Sequence, residues 1–315
     1  MTEQTILGTL GPLPVTAYGL ILAAAAGAGL LWMHFTARRI GLPQDTAVRF
    51  GLWAVPLGLI GGRGLFVMVR WSLVVKELGW QQIFRLWDGG FALFGVISGC
   101  LLAAVLCARR MRVSVGDLLD AAAPGAALML AISRFAEYFT LQGTGHPVEN
   151  TAWQWFPAAM RNSYQDWVMP VFFWEGLAAL GIAVVTVKAL YNPKRKASDA
   201  ALIWLLLLGA TQVLLESLRT DDVLRWRLVK VSQLAAMACV LAVAIRWGVQ
   251  AVRAGASGTK VAVHGAVLLA GVCVCVGVEF ALDKSPISNV VLYGIMALVL
   301  AMLVTVTGRL RKLVK

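Results

Sequence analysis

Nine apolar runs are the feature of this 315-residue chain that most limits how it can fold. Each run is about 20 residues long, which is the length of a helix that crosses the hydrocarbon core of a bilayer. Hydrophobic residues make up 59% of the chain and charged residues 14%. Soluble domains have roughly 45–50% and 25%, so a water-soluble globular protein is excluded. The pattern predicts an all-α fold, a polytopic membrane helix bundle. The runs lie at about 16–36, 49–70, 90–108, 117–136, 168–188, 199–217, 231–250, 261–281 and 287–307.

The basic residues predict the orientation of these spans, because cytoplasmic loops carry an excess of Lys and Arg. The formal net charge is +12. With the N-terminus outside, the inner loops hold 17 basic residues against four acids, and the rest of the chain holds 11 against 12. The sequence therefore predicts an N-out, C-in topology, which explains the basic excess without a nucleic-acid partner. The inner basic residues are Arg38, Arg39, Arg49, Arg109, Arg110, Arg112, Lys188, Lys194, Arg195, Lys196, Arg246, Arg253, Lys260, Arg309, Arg311, Lys312 and Lys315, and the four acids are Asp45, Asp117, Asp120 and Asp199.

The N-terminus and the cysteines predict neither a signal peptide nor a metal centre. The first ten residues have no basic cluster and contain Glu3, so a cleavable signal peptide is not expected. The five cysteines lie in apolar runs, and Cys273 and Cys275 are two residues apart, which points them to different faces of a helix. We therefore expect no disulfide framework, no metal site and no cofactor.

Polar residues inside the predicted spans are the candidate functional residues. A charged side chain at the centre of a transmembrane helix costs about 2.5–3.5 kcal/mol on insertion scales, so each one needs a reason. Given the predicted topology, they all lie in the outer half of the membrane or at its outer surface, where a bundle can gather them around one polar cavity. Ion pairs and snorkelling at helix ends are the structural alternative. The residues are Arg63, Asp88, Arg134, Glu137, Glu175, Gln212, Glu216, Arg219 and Gln233.

Several short motifs, in order from about residue 12 to residue 245, resemble a known family, the prolipoprotein diacylglyceryl transferases. This resemblance implies seven family-like spans in residues 1–250, followed by two extra spans in residues 251–315. Packing or partner docking is the default role of the two extra spans. The motifs are Leu13-Pro14, Tyr18-Gly19-Leu20, Arg38-Arg39, Gly61-Gly62-Arg63, Phe84-Arg85-Leu86-Trp87-Asp88-Gly89-Gly90, Ser133-Arg134-Phe135, Pro170 to Glu175, Glu216 to Arg219 and Ser232-Gln233.

The resemblance implies an activity, its substrates and its site. A diacylglyceryl group would pass from phosphatidylglycerol, or a similar anionic phospholipid, to the lipobox cysteine of a prolipoprotein segment, at the outer face of the bacterial plasma membrane. Arginines suit the phosphate, since their guanidinium groups bind it with two parallel hydrogen bonds. The resemblance assigns catalysis to Arg134, and the residues themselves offer Glu137 as the second catalytic group. It assigns substrate binding to Tyr18, Arg63, Asp88, Gly89, Gly90, Gln142, Glu175, Gln212, Glu216, Arg219 and Gln233.

The chain departs from the family pattern at residues that the resemblance links to catalysis. Glu137 is the best remaining candidate for the base that removes the thiol proton, and His146 in the following loop is a weaker one. Burial favours the protonated carboxyl group, whereas a paired arginine favours the carboxylate, and the sequence leaves that balance open. The departures are Phe94 for a His, Glu137 and Thr140 for two Asn, Gln142 for a Glu, Met169 for a His and Gln212 for an Arg.

Two alternatives to the enzyme stay open. The first is a catalytically lapsed family member that binds anionic lipid or a lipoprotein precursor. The second, a transporter, is weaker, because no matching polar groups line the inner half of the membrane. The aromatic residues of the segment 137–167 fit a surface helix, a flap over the cavity, or a plain aromatic belt at the membrane interface.

Overall fold

The computed structural model describes residues 6–10, 13–221, 224–226 and 229–314. Within these ranges it contains nine helices that are long and apolar enough to cross a membrane. This confirms the predicted polytopic helix bundle, while its orientation stays a prediction. The helices are α1 (Ala17–Arg39), α2 (Thr46–Val69), α3 (Leu93–Met111), α4 (Val115–Ala136), α5 (Val171–Leu190), α6 (Asp199–Leu218), α7 (Val231–Arg253), α8 (Gly258–Lys284) and α9 (Asn289–Leu313).

Short strands and turns connect the helices. The segment 137–167 forms no long surface helix: it begins with the 3₁₀ turn Glu137–Thr140 and continues through the turn Thr151–Trp153. Between α2 and α3 lie a π-helical turn, Ser72–Glu77, and two 3₁₀ turns, Trp80–Phe84 and Leu86–Asp88. The strands pair as antiparallel hairpins, namely β1 (Ile6–Leu10) with β2 (Leu13–Thr16), β3 (Met160–Arg161) with β4 (Trp167–Val168), and β5 (Arg225–Trp226) with β6 (Val229–Lys230).

The chain divides into two compact units. The first comprises Met1–Trp204 and Leu218–Ser232, and the second comprises Leu205–Ser217 and Gln233–Lys315. In the first unit, α1 packs on α4, α2 on α3 and α4 on α5. In the second unit, α8 packs on α9. The division at residue 250 that the sequence suggested stays a prediction.

Glycines bring α2 and α3 into close contact. Gly61 lies against the carbonyl of Gly95, and Gly99 lies against the carbonyl of Leu57, so a methyl group at any of the three glycines would overlap the other helix. Backbones that approach this closely gain van der Waals contact, which drives helix association in a membrane.

A buried ion group joins α4 to the start of α6 in the first unit. The Arg195 guanidinium contacts Asp120 and lies 2.9 Å from Oδ1 of Asp117. Asp120 is fully buried and also accepts from the backbone N–H of Ala201, 2.8 Å away. Burial disfavours the charged guanidinium, but the two carboxylates outweigh it and raise the pKa of Arg195. Asp120, one of the four acids that the predicted topology assigns to the inner side, is buried within α4.

Candidate functional site

Arg134 lies between two carboxylates in the last turn of α4. Its Nη1 is 2.5 Å from Oε1 of Glu137, one turn later, and its Nε is 3.1 Å from Oε2 of Glu175 in α5. The three side chains are at most 11% exposed. Charges that are removed from water need such partners, because an unpaired buried ion is strongly destabilising. The structure therefore brings together three residues that the sequence selected from two spans.

Arg219 joins the same group from beyond the end of α6. Its Nη1 is 3.8 Å from Oε2 of Glu175, so this carboxylate lies between two guanidinium groups. The helix ends at Leu218, and Arg219 forms a β-bridge with Gly145 instead.

Asp221 is a member of the group that the sequence analysis missed. It accepts from Nε and Nη2 of Arg219 at 3.0 and 2.8 Å, a two-point contact that fixes the guanidinium plane. Burial alone would raise the pKa of Asp221, but the Arg219 guanidinium outweighs it and lowers that pKa. The carboxylates in turn hold the pKa of Arg219 well above its usual value, against the effect of burial. The sequence does show an acid two residues after Arg219, but an acid in a predicted loop is normally interpreted as a solvated surface charge.

Gly143 closes the loop that follows α4 against this ion group. Its φ is +70°, and a methyl group on it would overlap Oε2 of Glu137 and lie 2.7 Å from Cβ of Phe172. Its N–H donates to Asp221 at 2.9 Å, and its carbonyl accepts from the N–H of Phe172 at 2.8 Å. Only glycine meets both the positive φ and the close approach without strain.

Glu137 presents one carboxylate oxygen without a hydrogen bond. Oε1 contacts Arg134, whereas the buried Oε2 has no hydrogen-bond partner among the residues that the structure describes. Tyr18, at the start of α1, lies close enough to interact electrostatically with Glu137, Arg134 and Arg219. The structure thus groups Tyr18 with the predicted catalytic pair. Gln142, which precedes Gly143, is exposed.

Arg63 does not present a free cation for a phosphate, in contrast to its predicted role. Its Nε donates to the Ile83 carbonyl at 3.1 Å, and Nη1 donates to the Gly89 and Gly90 carbonyls at 2.5 and 3.3 Å. Nη2 donates to the Gln82 carbonyl. The guanidinium thus holds the segment between α2 and α3 by its backbone.

Asp88, Gly89 and Gly90 belong to this arrangement. Asp88 accepts from Nε2 of Gln82 at 2.7 Å, and both glycines have positive φ, +76° and +77°. A methyl group on Gly90 would lie 2.7 Å from Nη1 of Arg63. In the structure, Asp88, Gly89 and Gly90 shape the loop before α3 together with Arg63.

Three further predicted site residues belong to the second unit. Gln212 and Glu216 are buried in α6. Gln233, in α7, donates from Nε2 to the Val213 carbonyl at 3.3 Å and to Oε2 of Glu279 at 2.9 Å. Glu279 belongs to α8, one of the two extra spans.

A polar cleft opens beside the ion group in the first unit. Its volume is about 650 Å³. The β-bridge between Gly145 and Arg219 borders it, so the cleft adjoins the backbone that carries Arg219. Its lining residues are Thr144, Gly145, Pro147, Val148, Glu149, Gln154, Asn162, Gln165, Asp166, Trp167, Val168, Thr220 and Asp221.

Phe94, which the resemblance aligns with a family histidine, offers no proton acceptor. Phe94 is 6% exposed in the first turn of α3. Among the described residues, no group of three or more His, Cys, Asp or Glu side chains is arranged to hold a metal ion. The role of Glu137 as the base stays a prediction.

Comparison with known proteins identifies the family. The family model for prolipoprotein diacylglyceryl transferase matches residues 5–249. A phosphatidylglycerol–prolipoprotein diacylglyceryl transferase of Lactococcus lactis is 30% identical over 220 residues, which cover 68% of this chain and 82% of the relative. The enzyme of the same name from Bacillus licheniformis is 28% identical over 241 residues, or 75% of this chain and 88% of the relative. The chain therefore belongs to the prolipoprotein diacylglyceryl transferase family.

Proposed function

We propose that this protein transfers a diacylglyceryl group from phosphatidylglycerol to the lipobox cysteine of a prolipoprotein, at the outer face of the bacterial plasma membrane. Family membership and the printed names of the relatives support the reaction and its two substrates. The observation that carries the proposal is the buried pair of arginines, Arg134 and Arg219, held on either side of Glu175.

The two arginines are the proposed binding site for the phosphate of the phospholipid. A guanidinium has five N–H donors, and the contacts of Arg134 with Glu137 and Glu175 involve only Nη1 and Nε. Among the described residues no contact of Nη2 of Arg134 is found, so its donors are left for a phosphate oxygen. Glu175 and Asp221 keep the guanidinium groups oriented, so that they need no rearrangement as negative charge develops on the leaving phosphate.

Glu137 is the proposed general base. The thiol proton of the lipobox cysteine passes to Oε2, and the sulfur attacks the glycerol carbon that bears the phosphate. A C–S bond forms while the C–O bond to the phosphate breaks, and glycerol phosphate leaves with the electron pair. Oε2 suits this role because the other carboxylate oxygen, Oε1, accepts from Arg134, while Oε2 itself makes no hydrogen bond with the described residues.

The charges of the buried ion group favour the transfer of a proton to Glu137 together with the departure of glycerol phosphate. With every member ionised, two guanidinium groups and three carboxylates leave one excess negative charge, which opposes a dianionic leaving group. Protonation of Glu137 removes that charge as the leaving phosphate gains one. Proton transfer and phosphate departure therefore assist each other, because the total charge of the buried site does not change.

The other predicted residues receive supporting roles in the proposal. The polar cleft beside Asp221 is the proposed seat of the prolipoprotein segment, since its backbone and amide groups can hydrogen-bond a peptide. Tyr18, Gln142, Gln212, Glu216 and Gln233 remain proposed substrate-binding residues. Arg63, with Asp88, Gly89 and Gly90, shapes the segment before α3.

A binding protein without catalysis is the second candidate, favoured by one observation. Phe94 is buried where the resemblance places a histidine, so the chain lacks that proton acceptor.

Purified protein incubated with phosphatidylglycerol and a lipobox peptide separates the two candidates. Mass spectrometry should detect lipidated peptide and glycerol phosphate in equal amounts. Retained lipid with neither product would reject the transferase and support the binding protein.

A further inference from the structure

The polar cleft of the first unit adjoins a carboxylate oxygen of Glu137 that has no hydrogen bond with any residue the structure describes. This oxygen, Oε2, is buried and lies against Gly143, where a methyl group would overlap it. Thr144, the next residue of the chain, lines the cleft. Asp221 lines it as well and accepts from the N–H of Gly143 at 2.9 Å. A peptide whose cysteine reaches Oε2 can therefore place its neighbouring residues in the cleft.

The charges in the lining of the cleft are all negative. Three acids, Glu149, Asp166 and Asp221, line the cleft, and its described lining residues include no Lys, Arg or His. The Arg219 guanidinium balances the charge of Asp221. Glu149 and Asp166 are exposed and form no ion pair with any residue in the described part of the chain. Exposed carboxylates are charged at neutral pH, so the cleft carries excess negative charge.

Side-chain amides hold the backbone next to both acids. Oδ1 of Asn162 accepts from the N–H of Asp166 at 2.9 Å, in the turn between β3 and β4. Nε2 of Gln154 donates to the carbonyls of Val148 and Glu149 at 3.0 and 3.4 Å. These contacts position the two acids without using their carboxylates. The negative field of the cleft is therefore in place before a ligand binds.

Arg161 is a basic residue close to this lining, but its contacts are with other groups. Its guanidinium carbon lies 5.2 Å from the ring centroid of Trp167, and Nη1 donates to Oε1 of Gln165 at 3.4 Å. Both partners are uncharged, so Arg161 makes no ion pair with Asp166 between them. The carboxylates of the cleft thus remain available for a cation that a ligand brings.

The polarity of the cleft indicates which part of a prolipoprotein it fits. A secretory precursor carries an apolar stretch before its processing site. An apolar stretch in the cleft would take polar lining groups out of water without giving them hydrogen-bond partners, which costs free energy. The segment that follows the cysteine lies outside this apolar stretch, so it is the part that matches the lining.

We propose that the cleft binds the segment that follows the lipobox cysteine and selects, through Glu149 and Asp166, acceptors with a Lys or Arg in that segment. The proposal rests on the proposed function, which supplies the prolipoprotein as the acceptor. One exposed ion pair changes binding by roughly 1.4- to 5-fold. Because two acids act on the same cation, we expect a Lys in this segment to be preferred over a Gln by about 2- to 25-fold.

Acceptor peptides that differ in one residue test the preference. Each contains a lipobox cysteine, and one residue after it is Lys, Gln or Glu; separate sets place this residue second, third or fourth after the cysteine. Binding of the fluorescent peptides to the full-length protein in detergent micelles is measured by anisotropy, without phospholipid. In at least one set, the Lys peptide should bind most tightly and the Glu peptide most weakly. The difference should shrink in 1 M salt, where the Debye length is about 3 Å.

The variants separate charge from structure. The double variant Glu149→Gln with Asp166→Asn should bind the Lys and Gln peptides equally. The charge-reversed double variant, Glu149→Lys with Asp166→Lys, should prefer the Glu peptide. A reversed preference requires a folded cleft, so misfolding cannot imitate it. Glu77→Gln removes an exposed acid between α2 and α3 and serves as the matched control.

Two results would overturn the proposal. They are equal binding of the three peptides by wild type in every set, and a Lys preference that survives in the charge-reversed variant. Because the assay requires no turnover, it separates this proposal from the proposed function. A wild type that prefers the Lys peptide but lipidates none contradicts the transferase alone, and one that lipidates all three but binds them equally contradicts the preference alone.

Discussion

The backbone N–H of Gly143 donates a hydrogen bond to the carboxylate of Asp221, 2.9 Å away and 78 residues later in the chain. This contact ties the loop after α4 to the loop after α6. Asp221 in turn holds Arg219, and Gly143 lies against Glu137, so one hydrogen bond links the proposed phosphate-binding arginine to the proposed base. The geometry of the site therefore depends on two loops that the apolar pattern does not predict.

Loss of the Arg134 guanidinium should remove most of the proposed activity. We expect Arg134→Ala to lower kcat/KM by about 100- to 1000-fold, as removal of one preorganised donor does in other enzymes. The measurement is the rate of peptide lipidation by purified protein. Arg110→Ala, an exposed change in α3, is the matched control. Full activity in Arg134→Ala would mean that the catalytic centre lies elsewhere.

Glu137→Gln should separate catalysis from lipid binding. Glutamine keeps the shape of the side chain and loses the ability to take the thiol proton. We expect kcat to fall by about 100- to 10,000-fold, the usual contribution of a general base. The variant should still retain phosphatidylglycerol, as measured by native mass spectrometry. If Glu137→Gln turned over as fast as wild type, another group, such as His146, would have to be the base.

Gly143→Ala should destabilise the loop and reduce activity together. The added methyl group meets Oε2 of Glu137, and the residue has a positive φ of +70°. Backbone strain of this kind costs on the order of 1–3 kcal/mol. Thermal unfolding in detergent measures the loss. Gly27→Ala, where a methyl group meets nothing within 4 Å, should leave the unfolding temperature equal or slightly higher. Equal unfolding temperatures in the two variants would contradict the close approach.

Asp221→Asn should show a stability loss that depends on pH in a defined way. The folded pKa of Asp221 lies below its ordinary value of 3.8, because the Arg219 guanidinium outweighs burial. The stability that it contributes is therefore fully present above about pH 4 and is lost as the pH falls through the folded pKa.

The expected difference between wild type and Asp221→Asn is roughly 1.5–3 kcal/mol, the range for hydrogen bonds to a charged group. It should be constant between about pH 5 and pH 8 and become smaller below about pH 3.8. Unfolding in denaturant at a series of pH values measures it. A difference that grew on acidification would show that Asp221 is not ionised in the folded protein.

Arg63→Lys should behave as a structural change. Lysine keeps the positive charge but presents its three donors from one nitrogen, so it cannot reach the four carbonyls that Arg63 binds. We expect faster hydrogen exchange in residues 82–90 and a lower unfolding temperature. Arg110→Lys provides the control. If the exchange rates stayed the same while phosphatidylglycerol affinity fell, Arg63 would be a phosphate ligand after all.

The sequence alone determined the nine spans and the polar residues that needed an explanation. Both follow from local properties, because about 20 consecutive apolar residues form a transmembrane helix whatever their neighbours are. The same reasoning found the pair of Arg134 and Glu137, since residues three apart lie on one face of a helix. It also found Glu175, whose charge inside a span required a partner.

Only the tertiary structure decided which partner each polar group has. Arg63 donates to backbone carbonyls, and Asp221 accepts from a backbone N–H. Almost every residue has these backbone groups, so the sequence does not show which of them a side chain will contact. Arg219 leaves its helix to pair with Asp221, and Glu279 reaches Gln233 from a helix 46 residues away. Contacts over such separations depend on how helices pack and where loops turn, which the apolar pattern of the individual spans does not specify.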